Sequence, residues 1–186
     1  LLAEEQVKIP FVGPNNLTGA QRVGAVLADN LSPGDQVLML EGTRTSFNAQ
    51  ERARGFELAM KEADIEIVDS QSANWEMREA NIITASMLTR YPDIKGILAG
   101  NDSMAMGALA AVKTIGKLGA IQIVGFDNIS AVNQAIAAGE ILATADQHAD
   151  KLAAYGIDYA LALLADKKAI LADRETPVDL VTAKDI

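Results

Sequence analysis

KGILAGNDSMAMGALAAVKTIGKLGAIQIVGFD, residues 95–127, contains one full repeat of the pattern on which the fold is built. Lys95–Ala99 is a short apolar run, as expected of a strand covered on both faces. It stops at the polar Gly100-Asn101-Asp102-Ser103, where a helical pattern begins. Met104, Ala105, Ala108, Leu109 and Val112 then fall on a single stripe. Gly116 and Gly119 break the helix. Ile121–Val124 is a second apolar run and again gives way to polar residues, Asp127 and Asn128 after Gly125-Phe126. Strand, helix and strand in this order, with tight turns, make a βαβ unit, whose two strands lie parallel.

Working outward, the alternation repeats. Apolar or β-branched runs stand at Ile9–Val12, Gln36–Leu40, Ile65–Val68, Leu142–Ala145 and Val178–Val181. From residue 36 the runs begin about 21–30 residues apart, which leaves room for one helix in each connection. Apolar stripes mark those helices: Leu17, Ala20, Val23, Ala25, Val26 and Leu27; Phe56, Leu58, Ala59 and Met60; Ile82, Ile83, Ser86 and Met87; Val132, Ala135 and Ile136. A further segment, Leu152 to Leu164, is apolar around most of its circumference. Ser32-Pro33-Gly34-Asp35, Pro92-Asp93 and Gly139-Glu140 punctuate the rest. The expected fold is α/β, a doubly wound, mostly parallel sheet with helices on both faces.

Composition removes several function classes. Among 186 residues, 16 Lys and Arg face 25 Asp and Glu, a formal charge of −9 that disfavours nucleic acid as a partner of this segment. No apolar run reaches the length of a spanning helix. Without Cys and with one His, cysteine nucleophiles, Cys-built zinc sites and paired-His metal sites are excluded. No GxSxG elbow, GxGxxG fingerprint or GxxxxGK phosphate loop occurs. We expect no catalytic residue, metal site or cofactor. The chain opens Leu1-Leu2-Ala3-Glu4-Glu5-Gln6, without initiator Met or signal-peptide order, and reads as a piece of a longer protein.

In an open α/β sheet, ligands bind beyond the carboxyl ends of the strands. The residues following the runs are therefore the candidates: Glu41 to Asn48 and the helix with Arg52, Asp69 to Trp75, Gly100 to Ser103, Gly125 to Asn128, and Asp146-Gln147-His148. They bring an Arg, the only Trp, several amides and an Asp to one edge. Paired donors and acceptors beside an aromatic face suit a sugar or polyol, whose hydroxyls need partners and whose C–H face packs on a ring.

Arg52-Ala-Arg-Gly55-Phe56, Gln71-Ser-Ala-Asn-Trp75, Gly100-Asn101-Asp102-Ser-Met104-Ala-Met-Gly107-Ala, Val124-Gly125-Phe126-Asp127, Thr144-Ala-Asp-Gln147 and Pro177-Val-Asp-Leu180 occur in that order. In this order they resemble the C-terminal half of periplasmic monosaccharide-binding proteins of the ribose-binding type, relatives of lac-repressor-type sensor domains. The resemblance covers about Ile9 to Val181. It implies two lobes joined by three hinge strands, closing on a monosaccharide or polyol that is handed to the permease of an ABC transporter in the periplasm, with a chemoreceptor as a further partner. Any signal peptide would lie outside this chain. It also implies five ligand-binding residues: Arg52, Trp75, Asn101, Asp127 and Gln147. Trp75 stands where the ribose binder has Phe, which points to a pyranose, a different pentose or a polyol. Residues 13–147 with 177–186 would form the C-terminal lobe, 148–176 a segment crossing to an absent N-terminal lobe, and 1–12 the tail of that lobe with the first hinge strand. The 152–164 helix would then lack its cover, so the isolated chain would self-associate through it.

Residue by residue, plainer readings stay open. Arg52 could be a solvated helix charge, Trp75 a core aromatic, Asp127 a cap for the helix near Ile129, and Gln147 a loop residue. Of Asn101 and Asp102, we assign the helix cap to Asp102 and the ligand to Asn101. Two other functions share the fold: the effector-sensing domain of a lac-repressor-type regulator, and a sugar-processing enzyme. Gly116-Lys-Leu-Gly-Ala-Ile121 lacks the Pro-x-Asp step that those regulators carry before GFD, which argues against the first.

Overall fold

A computed structural model describes residues 10–186. Of the tail and first hinge strand expected over residues 1–12, residues 1–9, including Ile9 of the first run, lie outside the described residues. In chain order the elements are β1 Val12–Pro14, α1 Asn16–Ala28, β2 Gln36–Glu41, α2 Phe47–Glu62, β3 Glu66–Ser72, α3 Met77–Arg90, β4 Gly96–Ala99, α4 Asp102–Thr114, β5 Gln122–Val124, α5 Ser130–Ala137, β6 Ala143–Asp146, α6 Ala149–Ala165, β7 Arg174–Thr176 and β8 Asp179–Thr182. The chain divides into two units. The larger comprises Asn16–Asp146 and Asp179–Ile186; the smaller comprises residues 10–15 and Gln147–Val178.

The larger unit is built on a six-stranded sheet ordered β3-β2-β4-β5-β6-β8. All neighbours run parallel except β8, which is antiparallel to β6. Helices cover both faces. Leu38, Leu40, Ile97, Ala99 and Ile123 turn to one face, into a cluster with Met87 and Leu88 of α3, Met104, Ala108 and Val112 of α4, and Ile136 of α5. The other face meets α1, where Leu27 lies against the bare backbone of Gly96, beside which Val37 also packs. β2, β4 and β5 are buried on both sides, which is why their sequences read as unbroken apolar runs.

The helices pack in pairs through glycine. A Cβ on Gly55 of α2 would stand 2.3 Å from the Leu17 carbonyl oxygen, and one on Gly107 of α4 would stand 2.2 Å from that of Met77. Such contacts bring helix backbones together and demand small residues opposite. This corrects the expected stripe on α3. Ile82 is 59% exposed, whereas Ala80 and Thr84 are buried. The face toward α4 is chosen by size rather than by hydropathy.

β3 is longer than the apolar run that announced it. Asp69 to Ser72 continue the strand at the sheet edge, where half-exposed polar residues are tolerated. In the smaller unit, β1 pairs in parallel with β7, a strand absent from the sequence reading because Arg174-Glu175-Thr176 carries no apolar run. α6 has no buried residue; Ile157, Leu161 and Leu164 are all exposed. Among the described residues, no helix is long and apolar enough to cross a membrane.

Candidate functional site

Strand order reverses between β2 and β4: the chain leaves β2 for β3 on one side, then returns to place β4 on the other. A crevice opens beyond the strand ends at such a point. An open pocket of about 250 Å³ there is lined by Asn48, Arg52, Trp75, Asn101 and Asp127. Four of the five residues singled out in the sequence thus meet. Gln147 instead belongs to the smaller unit, whose second segment it opens, and its carbonyl accepts from the Thr176 hydroxyl at 3.1 Å.

Arg52 lies at the centre. It is only 4% exposed, which rules out a solvated helix charge. Its Nε donates to Asn16 Oδ1 at 2.8 Å, and one terminal nitrogen donates to the Gly100 carbonyl at 2.9 Å and to Asp127 Oδ1 at 3.2 Å. The guanidinium carbon stands 3.8 Å from the centre of the Phe126 ring and 5.6 Å from that of Trp75. A planar cation can satisfy all of these at once, and lysine cannot. Burial lowers the pKa of Arg52 against the opposing pull of Asp127. Burial likewise raises that of Asp127, opposed by Arg52.

Trp75 is held by backbone geometry. Asn74 and Trp75 both have positive φ, 50° and 69°, a conformation uncommon for side chains of this size. The indole lies across Gly42, where a Cβ would come within 2.1 Å of the ring. Its inner part packs on the core, so Trp75 is at once a core aromatic and a wall of the pocket.

The assignment of the helix cap to Asp102 is corrected. Asn101, with extended backbone at φ −151° and ψ 168°, is the N-cap of α4; its Oδ1 accepts from the Met104 amide at 2.9 Å. Its Nδ2 makes a long contact of 3.5 Å with the Trp75 carbonyl. Asp102 is already helical and fully buried. Its carboxylate accepts from the Thr144 hydroxyl at 2.7 Å and the Ile129 amide at 2.9 Å. It reaches them across Gly125, whose missing Cβ would collide with Asp102 Oδ1 at 2.2 Å. Asp102 therefore fixes the loop that carries Asp127. That loop needs fixing, because Asp127 and Asn128 have φ of 125° and 61°. Residues in such regions cost on the order of 1–3 kcal/mol each and persist where surroundings over-determine them. Asp127 lies before α5, which starts at Ser130 with Ile129 as its cap residue, and its carboxylate turns to Arg52.

Burial, with the charge of Asp127 adding, raises the pKa of Asp102 to about 6 from 3.8, although the bonds from Thr144 and Ile129 pull it down. Between those values the folded chain holds a proton that the unfolded chain has lost. This stabilisation is complete below about pH 4 and disappears as pH rises through 6. Relative to Asp102→Asn, which does not titrate, the native chain is expected to lose about 2 kcal/mol between pH 4 and pH 7. Urea unfolding at the two pH values reads this; a difference independent of pH would contradict it.

Asn16 was missed as a site residue, and Asn48 entered only as the end of the candidate stretch Glu41 to Asn48, not among the five residues singled out. Asn16 is 3% exposed, opens α1 and receives Arg52; Asn48, second in α2, lines the pocket. The signal available was position: Asn16 follows β1 closely, and Asn48 closes the polar stretch that leads from β2 into α2. Among the described residues no cluster of metal-ligating side chains occurs.

Residues 2–168 match the periplasmic binding protein domain. The chain is 47% identical over 189 residues to a D-ribose/D-allose-binding protein of Pseudomonas aeruginosa, covering 98% of this chain and 58% of that protein. An ABC transporter solute-binding protein from Burkholderia multivorans superposes with a TM-score of 0.92 at 46% identity, over 97% of this chain and 64% of its own. A periplasmic solute-binding protein from Actinobacillus succinogenes with bound D-allose gives 0.90 at 33% identity, over 98% and 65%. The chain thus spans less than two thirds of the length of these relatives, and it belongs to the periplasmic binding protein domain family.

Proposed function

We propose that this chain is the C-terminal part of a periplasmic solute-binding protein that takes up a monosaccharide or related polyol for an ABC transporter. The convergence of Arg52, Trp75, Asn101 and Asp127 on one pocket at the strand ends carries the reading. Asp127 accepts from ligand hydroxyls, the Asn101 amide donates, the indole packs on the C–H face, and Arg52 holds these walls in register. Gln147 joins them when a second lobe closes. Ligand that bridges two lobes favours the closed form, the form a permease recognises.

The three points at which the chain passes between its units, near residues 15, 146 and 178, serve as hinge strands. Residues 148–176 then belong to the upstream lobe, which covers the apolar face of α6. That same face is the route by which the isolated chain would self-associate, and a chemoreceptor is a further partner of the closed form. The names of the relatives suggest D-ribose and D-allose as first ligands.

Titration of the full-length protein with D-ribose and D-allose tests the proposal. One of them is expected to change tryptophan emission saturably, and Trp75→Phe to abolish that change. If neither sugar gives a heat or an emission change, the reading fails for these two. If Trp75→Phe preserves both affinity and preference, the stacking role is wrong.

A further inference from the structure

Arg52 can only donate hydrogen bonds, and this fixes the orientation of two amides beyond it. Its Nε points at Asn16 at 2.8 Å, so the atom of Asn16 that faces it must be the carbonyl oxygen. The Nδ2 of Asn16 then faces the other way and donates to Asn48 Oδ1, at a long 3.4 Å. With its oxygen turned to Asn16, Asn48 presents Nδ2 on the opposite edge of its amide. Asn48 also lines the pocket, with the Asp127 carboxylate among its other linings.

We propose that Asn48 is a specificity-determining residue of the pocket: its amide N–H donates to a hydroxyl oxygen of the bound sugar, with a polarity set by Arg52 through Asn16. The inference rests on the sugar-binding reading above and adds a contact to it. Two walls of opposite polarity result, a donor from α2 and an acceptor from the loop after β5. A ligand must therefore present an oxygen to one and a hydroxyl hydrogen to the other. A site built this way rejects an analogue lacking the matching hydroxyl, because a desolvated amide is then left without its partner.

Isothermal titration of the full-length protein with D-ribose, D-allose and their monodeoxy derivatives tests this on Asn48→Asp and Asn48→Ala. Asn48→Asp keeps the shape and still accepts from Asn16, but offers an acceptor where the donor stood. It is expected to weaken the preferred sugar about tenfold or more. In Asn48→Ala, one monodeoxy derivative that the native protein discriminates against should bind as well as its parent sugar. Thermal melts identify any variant that misfolds, and the alanine variant carries the test if the aspartate variant does. Native affinities and native rank order in both variants would overturn the assignment. Absence of binding by the native protein would instead remove D-ribose and D-allose as its ligands, and this assignment, which rests on them, with it.

Discussion

Arg52→Ala is expected to destabilise the folded protein by about 2–3 kcal/mol, because it strips a part-buried carboxylate of its counter-charge and buried oxygens of their donor. The loss has identifiable parts. Asp127 stays behind, largely enclosed, with its pKa already raised by burial and the opposing cation gone. The Asn16 and Gly100 oxygens lose their donor, and the Phe126 ring loses the cation that covers it. Arg52→Lys should recover only part, since an ammonium cannot serve these partners in one plane. Arg52→Ala combined with Asp127→Ala should be less destabilised than the sum of the two, because the stranded carboxylate goes too. Urea midpoints at unchanged slope give each value. A native-like midpoint for Arg52→Ala would show that the guanidinium does not organise these strand ends, and the account of the pocket would have to be rebuilt.

The second large effect is expected at Gly107. Alanine there would be favoured by helix propensity by about 1 kcal/mol. The structure predicts the reverse, a net loss of about 2–3 kcal/mol from overpacking. The new Cβ would meet the Met77 carbonyl at 2.2 Å, the Ala80 Cβ at 2.9 Å and the Asn81 amide at 3.0 Å. Two of these are backbone atoms, so no rotamer change relieves them and α3 and α4 must part. The bond from Asn81 Nδ2 to the Gly107 carbonyl, 3.2 Å, would stretch as well. α4 carries Asn101 at its start, so on the proposed sugar-binding reading the affinity of the full-length protein should fall although Gly107 is no part of the pocket. A stability change within about 0.5 kcal/mol would mean that the helices are not held this closely.

Both predictions concern residues inside the motifs that carry the family resemblance, and those motifs are mixed in role. Arg52, Asn101 and Asp127 line the pocket, while Gly55, Gly107 and Gly125 are there for close approach. Asp102 supports the loop of Asp127 from beneath. A motif quoted as a string cannot separate these roles, since both depend on what lies opposite in space.

Hydropathic period and punctuation alone determined the parallel α/β architecture. β2, β4 and β5 are covered on both faces, and burial on both faces leaves the same unbroken apolar trace wherever the strand lies in the sheet. The convergence of Arg52, Trp75, Asn101 and Asp127 was legible for a related reason: strands in a parallel sheet all end on one side, so residues that follow them share an edge. Tertiary structure alone decided which partner each polar group takes. That Asp102 reaches Thr144, 42 residues on, depends on β4, β5 and β6 lying side by side. The same holds for the relay from Arg52 through Asn16 to Asn48, whose members come from two helices. Hydrophobic burial is additive along a chain and leaves a pattern in it. Hydrogen bonds are directional and pairwise, and a pair exists only once the fold has brought both members within about 3 Å.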